Sequence, residues 1–160
     1  MPLKHRTVLA GVAAIWLLAV AGCTRYSKEQ RREMAEVENR IKANPAAVDA
    51  LDERGESPLH FAVGNRYAPL VRWLLGHGAS ANVRDRSGKT PLDRAVLGGP
   101  TSDLAILKLL LKRGADPDAA DDEGQTPLHT AAYLGLVAPA KILLAHGAEV
   151  GARTELGSAS

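Results

Sequence analysis

One six-residue phrase recurs three times in this chain, as Ser57-Pro58-Leu59-His60-Phe61-Ala62, Thr90-Pro91-Leu92-Asp93-Arg94-Ala95 and Thr126-Pro127-Leu128-His129-Thr130-Ala131. The prolines are 33 and then 36 residues apart. A second landmark, Gly78-Ala79, Gly114-Ala115 and Gly147-Ala148, recurs with spacings of 36 and then 33. The three-residue excess therefore falls inside the second unit, between Pro91 and Gly114. A period of this length predicts a stack of helical units, each too small to bury an apolar face alone.

The residue types at the landmarks carry their own chemistry. Ser57, Thr90 and Thr126 each precede a proline. A hydroxyl there can accept from the backbone N–H groups of a first helical turn. Proline at the next position has a preset φ and no N–H to leave unpaired. Small apolar residues follow, Ala62-Val63, Ala95-Val96 and Ala131-Ala132, and these permit close helix approach. A second, leucine-rich segment comes next in each unit: residues 70–75, 106–111 and 141–144. Each such segment ends at the glycine landmark, where a left-handed cap favours a residue without Cβ.

These units resemble ankyrin repeats, whose pattern runs D-x-x-G-x-T-P-L-H-x-A, a second helix, and then G-A-D-x-N-A. Asp85-Arg86-Ser87-Gly88-Lys89-Thr90-Pro91-Leu92 carries the first part, and so does Asp121-Asp122-Glu123-Gly124-Gln125-Thr126-Pro127-Leu128-His129. Gly114-Ala115-Asp116-Pro117-Asp118-Ala119 carries the last part. Asp93 departs from the pattern's histidine and Gly151 from its asparagine. The resemblance implies an all-α fold, an α-solenoid of helix pairs with hairpin-like loops. It divides the chain into a degenerate capping half-repeat at 29–52, repeats at 53–85, 86–121 and 122–154, and the truncated start of another at 155–160. Within the half-repeat, Lys28 to Ala43 is predicted to be a helix, with Met34, Val37 and Ile41 on one face, a Glu36–Arg40 pair, and Asn44-Pro45 as its stop.

The first 22 residues read differently. Lys4, His5 and Arg6 precede a nearly unbroken apolar run from Thr7 to Val20. That run is shorter than the roughly 20 residues a spanning helix needs. A basic start, a short apolar core and small residues thereafter form a secretory signal peptide. Val20-Ala21-Gly22-Cys23 resembles the bacterial lipobox. The resemblance implies cleavage before Cys23, a diacylglyceryl group on its sulfur, and a tether over residues 23–28. An ordinary signal peptide or an uncleaved anchor with an incidental cysteine is the alternative. Thr24, where inner-membrane lipoproteins often have Asp, favours the outer membrane. The expected location is the bacterial envelope, facing the periplasm.

Lys4 and Arg6 are the only Lys or Arg among those 22 residues, so 18 basic residues of the original 20 remain against 18 acidic ones. Such a balance, with no sustained basic stripe, argues against nucleic acid as a partner. Catalytic and metal readings fail on spacing. His60 and His129 belong to the repeated phrase, and the resemblance implies that they stiffen loops; Asp93 can do a related job through a capping box. His77 and His146 occupy equivalent turns, Cys23 is the one cysteine, and Gly98-Gly99 is too short for a phosphate loop. No cofactor and no metal are expected.

Surface remains. The resemblance implies that a partner protein meets the hairpin tips and the first helices. Those positions are Glu53, Arg54 and Glu56 in the first unit; Arg84, Arg86, Ser87 and Lys89, with Leu97, in the second; and Asp122, Glu123 and Gln125, with Tyr133 and Leu134, in the third. Asn65 and Arg66 complete the first-helix row. Tyr133 is the best anchor among them, because aromatic residues dominate binding hot spots. The expected function is therefore a non-catalytic protein-binding module, monomeric and tethered through acyl chains on Cys23. It would act as a scaffold or as an inhibitor of the immunity type. The alternative is a structural envelope component without a high-affinity ligand. In cells fed labelled palmitate, the wild-type chain should take up label and Cys23→Ala should remain an unlabelled precursor. An unlabelled wild-type protein found free of membrane would contradict the anchor.

Overall fold

Ser57, Thr90 and Thr126 do begin helices, and the residue three places on completes each cap. In the computed structural model, which describes residues 26–98 and 104–151, Ser57 precedes α2 (Pro58–Gly64), Thr90 precedes α4 (Pro91–Leu97) and Thr126 precedes α6 (Pro127–Tyr133), each with proline in the first turn. The Nδ1 of His60 accepts from Ser57 N at 3.3 Å and lies 2.9 Å from Ser57 Oγ. His129 repeats this on Thr126, at 3.2 and 2.9 Å. Asp93 substitutes for the imidazole, its Oδ2 accepting from Thr90 N at 2.7 Å and from Thr90 Oγ1 at 2.8 Å. These contacts meet N–H groups that a helix start leaves without an intrahelical acceptor.

The leucine-rich segments form α3 (Ala68–Gly76), α5 (Leu104–Lys112) and α7 (Val137–Ala145). Each ends on a glycine with positive φ: 91° at Gly78, 85° at Gly114 and 94° at Gly147. The alanine after it donates back to a leucine carbonyl, Ala79 to Leu74, Ala115 to Leu110 and Ala148 to Leu143, at 3.0, 3.0 and 3.1 Å. This is the 6→1 bond of a Schellman cap. An L side chain at those φ values would strain the turn, which is why the landmark is glycine.

Before each first helix, one aspartate holds the hairpin-like loop. Asp52 Oδ1 accepts from Arg54 N and Glu56 N, Asp85 Oδ1 from Ser87 N and Lys89 N, and Asp121 Oδ1 from Glu123 N and Gln125 N, all within 2.8–3.0 Å. Among the described residues there is no strand; each loop is closed by this aspartate and by one backbone bond, from Asp52 N to Glu56 O, Asp85 N to Lys89 O and Asp121 N to Gln125 O, each at 2.9 Å.

By chain contacts the protein divides into two compact units, at Glu36 and Val37. The division falls within α1 (Lys28–Ala43), where Met34 and Ile41 are buried and Val37 is half-buried. The ion pair on this helix is Glu38–Lys42, at 3.4 Å, and not the expected Glu36–Arg40. A 3₁₀ turn (Pro45–Asp49) follows the Asn44-Pro45 stop. In the second compact unit, α2, α4 and α6 stack in one layer and α3, α5 and α7 in another, and the first layer is the more closely packed along the stack. Leu59, Leu70, Leu74, Leu92, Leu107, Leu110 and Leu143 fill the core between layers.

The units are also bolted together by side chains. Asp49 accepts from Ser80 N at 3.0 Å, Asn82 from Asp116 N at 2.7 Å and Asp118 from Glu149 N at 2.8 Å. The three acceptors occupy one position of the repeat, and the fourth occupant of that position is Gly151, which has no side-chain acceptor. The segment expected to be a signal peptide, Cys23 and most of the insertion, 99–103, lie outside the described residues. Leu110 is fully buried in the central helix pair, whereas Leu109 is half-buried. Leu110→Ala should lower stability by about 2–5 kcal/mol, and Leu109→Ala by less. Equal melting of both variants and the wild type in a denaturant titration would contradict this core.

Candidate protein-binding surface

The loop tips do two jobs, and the structure separates them. Arg86 lies across Gly55 so closely that a Cβ there would sit 2.2 Å from Arg86 Cγ. Asp122 does the same at Gly88, 2.4 Å from Oδ1, and its N–H donates to Ser87 O at 3.1 Å. Arg86 and Asp122, both expected at the binding surface, are therefore joints between successive loops as well as exposed side chains. Lys89 is half-buried with Nζ 3.8 Å from Asp121 Oδ2. Gln125 is half-buried as well, whereas Arg84, Ser87 and Glu123 are exposed.

Arg94 is a feature that sequence reasoning missed. Its Nη2 bonds Glu56 of the preceding loop and lies 3.5 Å from Asp85 Oδ2. One guanidinium thus clamps two loop tips, and its fork of donors suits two carboxylates. The signal was present in part: the equivalent positions are Phe61 and Thr130, so an arginine at this place is unique to the central unit.

Below the tips runs the first-helix row. Equivalent positions hold Gly64, Leu97 and Tyr133, then Asn65, Gly98 and Leu134. Tyr133 is 91% exposed, Leu97 49% and Leu134 47%. Val137, at the start of α7, is a further exposed apolar side chain, 64% exposed, and was not foreseen. Where the row begins, beside Gly64, an open groove of about 260 Å³ is bounded by Val63, Leu97, Ile106, Arg66 and Arg94. Arg66 stands at φ 58°, where the third unit has Gly135 at φ 66°. Holding a non-glycine residue there costs about 1–2 kcal/mol.

Two buried ionisable groups sit beneath this surface. His60 donates Nε2–H to Lys89 O of the next loop at 3.0 Å, with Nδ1 as acceptor, so the network assigns the neutral tautomer. Burial depresses its pKa below the usual histidine value, opposed by the Lys89 carbonyl and by the Asp85 and Glu56 carboxylates. Asp93 has no group to reach the next loop. Burial raises its pKa, Thr90 opposes that through two hydrogen bonds, the Asp121 carboxylate adds to it and Lys89 counters it. His77 and His146 donate from Nδ1 to Trp73 O and Ile142 O, each at 2.8 Å, and so serve as helix-end caps. Among the described residues no group of three or more His, Cys, Asp or Glu is placed to hold a metal. No described helix is long and apolar enough to cross a membrane.

Two family descriptions match the chain: "Ankyrin repeats (many copies)" over residues 41–95 and "Ankyrin repeats (3 copies)" over residues 101–154. This chain belongs to the ankyrin repeat family. Its relatives include Ankyrin repeat domain-containing protein 13B of Mus musculus, 38% identical over 75 residues, which are 47% of this chain and 12% of that protein. The Transient receptor potential cation channel subfamily A member 1 homolog of Caenorhabditis elegans is 32% identical over 102 residues, 64% of this chain and 8% of that protein. A Putative ankyrin repeat protein of Rickettsia bellii is 42% identical over 55 residues, 34% of this chain and 22% of that protein. The chain thus spans no more than about a fifth of the length of these relatives. Ankyrin repeats are, as a class, non-catalytic protein-interaction modules, which agrees with a surface of tips and exposed apolar side chains.

The two buried groups act oppositely with pH. His60, with a lowered pKa, adds stability that is fully present above its unfolded value of 6.5 and is lost as pH falls through the folded value. Asp93, with a raised pKa, favours the fold most below its unfolded value of 3.8, and that advantage is lost as pH rises through the higher folded value. Asparagine mimics the protonated acid. The melting temperature of Asp93→Asn minus that of the wild type should therefore rise as pH goes from 4 to 7. A difference that falls over this range would contradict the placement of Asp93.

Proposed function

We propose that this chain is a lipid-anchored, non-catalytic ankyrin module that holds a protein partner at the periplasmic face of a bacterial envelope membrane. The observation that carries the binding part is Tyr133, 91% exposed on a folded helix pair, with Leu134 and Val137, one and four residues on, exposed as well. An aromatic ring held out in solvent gains most by burial against a partner, and such side chains carry a large share of binding energy. The anchor rests on the Val20-Ala21-Gly22-Cys23 sequence, outside the described residues. Residues 24–28 then extend at most about 17 Å, which keeps the repeats near the membrane surface. A scaffold and an inhibitor of the immunity type both use such a tether. A purely structural envelope component has no use for the exposed Tyr133 strip.

In this reading the partner docks across the second and third repeats. Arg84, exposed and outside the loop joints, steers it, and Tyr133 is buried on contact. Affinity capture from solubilised membranes should give one stoichiometric protein with the wild-type chain. Tyr133→Ala should raise its dissociation rate by about 1–2 kcal/mol equivalent. Arg84→Glu should chiefly slow association, with a weaker salt dependence. Arg86 and Lys89 are poor choices for this test, since both also join loops. Unchanged rates in the double variant Arg84→Glu, Tyr133→Ala would show that the partner meets another face.

A further inference from the structure

The middle residue of each second helix is basic. Arg72 stands at the centre of α3, Lys108 of α5 and Lys141 of α7. All three occupy one position of the repeat, six residues before Gly78, Gly114 and Gly147, and all three are exposed. They are 36 and then 33 residues apart, so no run of basic residues announces them. The stacking of α3 on α5 and of α5 on α7 brings them into one row. Packed helix axes lie about 8–10 Å apart, so the row is about 20 Å long. Lys112 and Arg113, also exposed, add two charges at the end of α5. A helix dipole favours cations at that end, but it gives no reason for a cation at mid-helix.

The layer carries no opposite charge. Residues 68–78, 104–115 and 137–148 contain no Asp or Glu. None of the five basic residues forms an ion pair among the described residues. The described carboxylates from Asp52 to Glu149 lie in loops, apart from the buried Asp93. The charge of the repeats is thus segregated, and an anionic surface would attract this layer and repel those loops.

The position after each basic residue is apolar and half-buried, as Trp73, Leu109 and Ile142. Long cationic side chains lay their stems along such surface and keep their charged heads outward. A protein partner is held in one register by charges of both signs and by shaped pockets. This row offers one sign at even spacing, which is what a laterally fluid sheet of phosphate headgroups requires.

We propose that the second-helix layer lies against anionic phospholipid headgroups, with Arg72, Lys108 and Lys141 as the contact row. This rests on the envelope reading above and leaves the first-helix row to the protein partner. An acyl chain and a basic patch are two signals that together anchor more firmly than one. Each basic residue near an anionic surface strengthens attachment about fivefold.

The full chain, purified in detergent and reconstituted, is treated with an amine-reactive reagent in vesicles of phosphatidylcholine alone or mixed with phosphatidylglycerol. Modification of Lys108 and Lys141 is read by mass spectrometry against Lys89 of a loop tip. Phosphatidylglycerol should slow both by at least about fivefold relative to Lys89, and high salt should restore them. The double variant Arg72→Glu, Lys108→Glu keeps helix-forming residues at exposed sites and should melt like the wild type. In it Lys141 should react in both vesicle types at the rate seen in phosphatidylcholine. Equal rates for the wild type in the two vesicle types would overturn the inference. So would protection of these lysines by a dissolved oligonucleotide but not by vesicles, which would make the row a nucleic-acid site. Protection in native membranes but not in lipid alone would give it to an acidic protein and overturn the inference equally. A chain that takes up no palmitate in cells yet shows the protection would lose the acyl anchor and keep this contact; a labelled chain without the protection would lose this contact alone.

Discussion

A helix of seven residues is not stable alone in water. It closes too few hydrogen bonds to offset the ordering of its first turn. The first helices α2, α4 and α6 are each of that length. Everything in this protein therefore depends on how one unit is fastened to the next. The fastenings are short polar side chains aimed at backbone groups about one repeat away. Asp49, Asn82 and Asp118 hold the amides of Ser80, Asp116 and Glu149, and His60 holds the Lys89 carbonyl. Leucines between the layers supply the apolar burial, but the polar contacts set the register in which those leucines meet.

The joint between the second and third repeats is built differently from the one before it. Asp93 cannot donate across to the next loop as His60 does. The Lys89–Asp121 ion pair and the bond from Asp122 N to Ser87 O stand in that place. At the earlier joint Arg94 gathers Glu56 and Asp85, and Arg86 covers Gly55. Loop tips that hold the stack cannot vary freely, so in the proposed reading recognition is assigned to the neighbours that do not. Those are Arg84, Ser87 and Glu123 on the tips and the row from Leu97 to Tyr133 below them.

Much of this was legible in the sequence, for physical reasons. A hydroxyl before proline, a glycine after a leucine run and an aspartate three places before a glycine each act within a few residues, so their meaning survives without a structure. The helices at Pro58, Pro91 and Pro127 and the turns at Gly78, Gly114 and Gly147 follow from such local rules. What was not legible depends on residues roughly 30 apart meeting in one register. The Arg94 clamp spans 38 positions and the Arg66 bond to Gly98 spans 32. The double duty of Arg86 and Asp122 is hidden for the same reason. The groove beside Gly64 takes shape only once its neighbours from the second repeat are in position. The lipid anchor is read from residues before Tyr26 alone, and its support stays with the sequence.

The central claim is that the exposed first-helix row, and not the layer of second helices, faces a protein partner. A photo-reactive amino acid placed singly at Tyr133, at Leu97 and at Lys108 of α5, in the full chain within its own cells, tests this most directly. All three positions are exposed, so each reports on whatever lies against it. Adducts of one defined mass from Tyr133 and Leu97, with none from Lys108, are the predicted result. Adducts from Lys108 alone, or from none of the three, would contradict it.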